Sequence, residues 1–138
     1  MRFIYSLQID KSFLCLFIMV KIWSDASKNR VYMVLKGGIT ESEIKSAADL
    51  FISEVQKLNP PVDVINDISE FTPESNMDIS HILRAQKFIV QYGLGRAIRV
   101  IRDKVEGVIP FVAGVVETGY NANLAYSVEE AEKMLERQ

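Results

Sequence analysis

The chain has 138 residues, 49% hydrophobic and 25% charged, which excludes a disordered, fibrous or low-complexity protein and fits one domain that buries roughly two thirds of its unfolded surface. A net charge of -2 and a pI near 5.5 exclude global attraction to nucleic acid or an anionic membrane, so either contact would need a local patch. Cys15, the single cysteine, excludes an internal disulfide and points to a reducing, cytoplasmic compartment; with His81 as the one histidine no His/Cys zinc site can be built, and no metal or cofactor is expected.

Residues 1–18 form an N-terminal extension with two readings. The apolar run FLCLFIMV, residues 13–20, is far short of the roughly 20 residues that span a bilayer, so no transmembrane segment is expected. Asp10 ahead of that run, with no small-x-small site after it, fits a secretory signal poorly. Either Met19 is the start, or residues 3–9 and 13–22 are strands that cover a sheet edge or pair between subunits. The second reading implies a homodimer.

From residue 19 onward the punctuation is clearer. Residues 20–24 and 30–36 read as a hairpin around the polar DASKN. Gly37-Gly38 breaks the pattern, and Thr40-Glu-Ser-Glu43 supplies a capping box. In the helix that follows, Ile44, Ala47, Ala48, Phe51, Val55 and Leu58 make one apolar stripe, with Glu54 and Lys57 off it. Asn59-Pro60-Pro61 ends it.

Residues 62–68 are the next strand, with the composition of a central one. Ser75-Asn-Met-Asp78 is a second capping box, opening a helix with Ile79, Ile82, Leu83 and Ile89 in its core stripe and Gly93 as its left-handed cap. Residues 96–102, RAIRVIR, form a strand whose arginines, at every third position, cannot share one face. Residues 108–116 are apolar throughout; Pro110 as an early helical residue and Gly119 as a stop favour a helix. A short strand over 123–126 and a third capping box, Ser127-Val-Glu-Glu130, precede a helix carrying Val128, Ala131, Met134 and Leu135.

The order β-β-α-β-α-β-α-β-α predicts an α/β fold: one domain over residues 19–138, with a mixed, mostly parallel sheet of four to five strands and about four packed helices. In such sheets ligands and partners meet the carboxyl ends of strands beside helix N-termini. That directs attention to residues 61–81, PVDVINDISEFTPESNMDISH, and to Asp67, Phe71, Ser75, Asp78 and Ser80 as partner- or ligand-binding candidates. The plainer readings are an N-cap for Ser75 and, for Asp67, an acidic residue bonding local N–H groups. Asp63 is expected to be solvated or at a strand edge.

His81 lacks a nucleophile-base-orienter constellation, and Gly93-x-Gly95 lacks the third glycine of a phosphate loop. No acid-base pair is visible, so a non-catalytic protein is expected. Arg84, Lys87, Arg96, Arg99, Arg102 and Lys104 could gather as an anion or lipid-headgroup patch, or lie apart as solvated charges. A helix over 108–116 must face core, a second subunit or an apolar ligand.

The element order, with VYMVLKGGITESEI, VDVINDISEF and AYSVEEAEKML, resembles the STAS superfamily of anti-sigma-factor antagonists and sulfate-transporter cytoplasmic domains, over about residues 20–135. It looks closest to stand-alone STAS-like bacterial proteins of uncertain role. The resemblance implies a regulatory module that binds a protein partner through residues 71–83. It also implies a phosphorylatable serine after the central strand, for which Ser75 is the nearest match and Ser80 lies a turn further on. The chain departs from that family's Asp-Ser-Ser-Gly, having TPESNMDIS instead. The alternative is a carrier or sensor that holds an apolar small molecule or lipid against residues 108–116, with arginines near its head group.

Overall fold

The computed structural model describes residues 19–74, 76–102, 108–112 and 114–136; the readings of residues 1–18, Ser75 and Lys104 lie outside them. Strands β1 (Val20–Asp25) and β2 (Arg30–Gly38) form the expected hairpin, whose turn is closed by Asp25 accepting from the backbone N–H and hydroxyl of Ser27. Then come α1 (Glu41–Val55), β3 (Val62–Thr72), α2 (Ser80–Gly93) and β4 (Leu94–Val100). Two single turns, α3 (Ile109–Val112) and α4 (Val115–Thr118), lead to the short β5 (Asn123–Ala125) and to α5 (Val128–Glu136). The protein is α/β: one mixed sheet of five strands in the order β1-β2-β3-β4-β5, antiparallel only between β1 and β2.

Strand order advances in one direction through three parallel pairs, so crossovers of one hand all fall on the same face. α1, α2 and α3 cover that face, burying Val31, Leu35, Val64, Ile68 and Ala97 beneath Ala47, Phe51, Ile82, Ile89 and Phe111. α5 turns onto the other face and packs Ala131 and Leu135 on Ile65, Ile98 and Val100. Because α5 covers mainly β3, β4 and β5, a groove of about 300 Å3 stays open beside it, lined by Trp23, Tyr32, Val34, Asp67 and Glu132 among others.

Four local expectations are corrected. β3 runs on to Thr72 and carries a bulge, where two steps of β2 (Val34 to Lys36) oppose three steps of β3 (Asp67 to Glu70). α2 begins at Ser80, not at a Ser75 box: Asn76 sits at φ 58°, which a right-handed helix cannot contain, and the N-cap Ile79 makes no side-chain cap bond. Residues 108–116 are not one helix. The first turn ends at Val112 and the second starts at Val115, with Gly114 packed so close to α2 that a Cβ there would press on the side-chain ends of Leu83 and Gln86. Lastly, Glu54 is buried rather than off the stripe of α1, accepting from Ser24 Oγ at 2.8 Å and from Lys57 Nζ at 2.6 Å.

Other signals hold. Both halves of the Thr40 capping box form, with Glu43 N–H donating to Thr40 Oγ1 (3.2 Å) and Thr40 N–H to Glu43 Oε1 (2.8 Å). All six residues of the predicted stripe on α1 and its exit turn are buried. Ser127 caps α5 by accepting from Glu130 N–H at 3.0 Å, but the Glu130 carboxylate turns to the Tyr126 N–H instead of closing the box. Gly119 ends α4 at φ 78°, the left-handed stop its type implies.

Candidate functional site

The candidates from residues 61–81 do not converge. Asp67 lies within β3, not at its end. Its Oδ1 accepts from the Ser69 N–H (3.0 Å) and hydroxyl (2.6 Å), so it braces the bulge, and it lines the groove on the α5 side. Phe71 points the opposite way and is 3% exposed, packed edge-on against Phe111. It supports the surface above it and is not on that surface. Asp78 and Ser80 are exposed together at the start of α2, with the Ser80 N–H donating to Asp78 Oδ1 at 2.9 Å. That N–H first, and the Ser80 hydroxyl second, hold the Asp78 carboxyl below its usual range. Ser75 lies outside the described residues.

The basic set does not gather either. Arg84 pairs with Asp49 at 2.9 Å and Arg102 with Glu70 at 3.6 Å, whereas Arg99 faces inward. His81 contacts only Arg84 among the hydrogen bonds described, at 3.3 Å. The Arg96 N–H donates to the half-buried Asp63 at 2.8 Å, so Asp63 ties β3 to β4 rather than standing free in solvent. Among the described residues no group of three His, Cys, Asp or Glu could hold a metal ion, and no helix is long and apolar enough to cross a membrane.

What the fold does bring together is a polar cluster under α2. Met33, Asn66 and Arg99 are register partners across β2, β3 and β4, and so point to one face of the sheet. That is the face roofed by α1 and α2, and Asn66 and Arg99 are 3% and 2% exposed there. A cavity of about 40 Å3 lies beneath the helices, lined by Met33, Phe51, Asn66, Gln86, Phe111 and Tyr120 with further apolar side chains. Gln86 is spoken for: its Nε2 donates to the Phe111 carbonyl at 2.9 Å, fastening α2 to α3.

Arg99 is not so provided. Its Nε and Nη2, and Asn66 Oδ1, are buried without a hydrogen-bond partner among the described residues. The guanidinium carbon lies 5.8 Å from the centroid of Phe111 and 5.9 Å from that of Tyr120, within cation–π range of two rings that also wall the cavity. Burial lowers the Arg99 pKa, with Tyr120 working the other way; an arginine nevertheless keeps its charge in a protein. A buried cation short of hydrogen bonds is costly, and such positions concentrate at sites that receive a ligand.

The sequence marks Arg99 only as one of a basic set, as a patch or as solvated charges, and gives Asn66, Gln86 and Tyr120 no role. A signal was present. Asn66 has the parity of Val62 and Val64, and Arg99 that of Ala97, so both polar residues stand at core positions of their strands.

The outer surface of the same region carries exposed apolar side chains. Ile109, Val112 and Val116 are 57%, 42% and 95% exposed on α3 and α4, beside the start of α2. Their turns are anchored from below by Phe111 on Phe71 and by Gly114 against Leu83. No protein-family model matches the chain, and no curated protein matches it.

Proposed function

We propose that the chain is a non-catalytic regulatory module of STAS type that receives a partner protein at the carboxyl end of its central strands. The observation that carries this reading is the exposed apolar trio Ile109, Val112 and Val116. It sits next to residues 71–83, the segment that the STAS resemblance assigns to partner contact. Large apolar side chains grouped on a surface otherwise mark interaction sites. Phosphate on Ser80 is not favoured as the switch: the helix N-terminus attracts anions, but the Asp78 carboxylate already bonds there and repels a second charge.

The test is a triple variant, Ile109→Ser, Val112→Ser and Val116→Ser. Exposed sites of this kind shift stability by about 0.5 kcal/mol or less each, so the variant folds as the wild type does. It loses the species that the wild type cross-links in lysate of its own cells. Equal yield of the same cross-linked species from both proteins argues against the reading.

A second reading, a carrier or sensor of a small apolar molecule, is favoured by the apolar cavity and the under-bonded Arg99 beside it. Native mass spectrometry of protein purified from its own source should retain a small-molecule adduct. Repeated absence of any adduct counts against this reading.

A further inference from the structure

Resting on the carrier reading, we propose that the ligand is a short-chain carboxylate whose head group is read by the Nε–Nη2 edge of Arg99 next to Asn66, with its hydrocarbon end in the cavity under α1 and α2. The two unpartnered nitrogens of Arg99 lie on the same side of the guanidinium. That side presents two parallel N–H donors, the fork that takes both oxygens of a carboxylate.

Three carboxylates of α1 and β3 are committed elsewhere: Glu54 to Ser24 and Lys57, Asp67 to Ser69 on the opposite face, and Glu70 to Arg102. No ion pair among the described residues includes Arg99. The rings of Phe111 and Tyr120 hold the guanidinium and keep water from it, which strengthens charge recognition in a low dielectric.

Asn66 supplies the second polar atom. Its Oδ1 has no partner among the described residues, the residue lines the cavity beside its register partner Arg99, and a half-turn of the amide would offer N–H in place of that oxygen. Size sets the rest of the ligand. The cavity of about 40 Å3 has room for only about three water-sized groups at roughly 10–15 Å3 each. Its apolar walls include Met33, Leu35, Ile44, Phe51 and Ile82, which suit a methyl or ethyl group and offer nothing to a second charge.

The experiment titrates the full chain with propionate and with propionamide, which match in size and differ in charge, by calorimetry and by ligand-observed NMR. Propionate should bind saturably, at least tenfold more tightly than propionamide, with magnetisation transfer from its methyl group to the ring protons of Phe111 and Tyr120. In Arg99→Met the preference for propionate should vanish. If that variant fails to fold, the wild-type transfer to those two rings decides alone. Equal affinity for the two probes, or transfer to other rings only, overturns the carboxylate assignment and leaves the carrier reading standing. Absence of saturable binding by either probe overturns this proposal, and the adduct measurement above then decides the carrier reading.

Discussion

Tyr120 shows how a single buried residue couples the cavity to pH. It is 4% exposed, and burial pushes its phenol from 10 up to about 12, with the neighbouring Arg99 charge opposing the rise. The unfolded chain therefore ionises this group first. The stabilising contribution is whole below pH 10 and is lost as pH rises through about 12. The loss is on the order of 3 kcal/mol across that window. Tyr120→Phe keeps the cavity wall and removes the titration, so its urea midpoint should fall less steeply than that of the wild type above pH 10. Parallel curves for the two proteins would refute this. Tyr32, also pushed up to about 12 by burial and by Glu132, titrates in both proteins and so cancels in the comparison.

Glu54 makes a different point at the same scale. By helical spacing it lies close to the stripe of Phe51 and Val55, yet its charge argues for solvent. It is buried because Ser24 of β1 and Lys57 of the next turn both reach its carboxylate, and neither partner can be inferred from a helical wheel.

Among the elements, α1 was the most legible because everything that specifies it is local. The Thr40–Glu43 box starts it, its stripe repeats at three and four residues, and the Asn59-Pro60-Pro61 segment follows its exit turn. Thr40→Ala should lower stability by about 1 kcal/mol, read from denaturant midpoints, with the fold retained. A cap whose loss cost nothing would mean that packing on the sheet alone defines this helix.

The same local logic fails at the start of α2. Ser75-Asn-Met-Asp78 has the letters of a capping box, but the positive φ at Asn76 and the extension of β3 to Thr72 defer the helix to Ser80. Residues 108–116 failed for another reason. Their apolar run is consistent with a continuous helix, yet it divides into two turns beside α2, with Phe111 inward and Val116 outward.

For the whole molecule, the tie that closes the second face runs from one end of the described chain to the other. Glu132 on α5 accepts from Arg30 Nη1 and from the Tyr32 hydroxyl at 2.7 Å, fixing α5 to β2. Arg30 is 5% exposed, so removing its partner strands a buried cation. Glu132→Ala should cost roughly 3 kcal/mol in denaturant unfolding and raise amide exchange across α5. A loss below about 1 kcal/mol would place the pair among ordinary surface salt bridges.

The sequence by itself determined the element order, the caps at Thr40 and Ser127, the buried stripe of α1 and the mixed, mostly parallel sheet. These follow from periodicity and from backbone chemistry acting within a few residues. Only the tertiary structure decided that Asn66 and Arg99 meet as neighbours under α2, that Asp67 and Phe71 face opposite sides of the sheet, and that Ile109, Val112 and Val116 stay exposed. Strand pairing joins residues far apart in the chain, and a one-residue bulge reverses which face each side chain takes. Neither register nor bulge is written in local spacing.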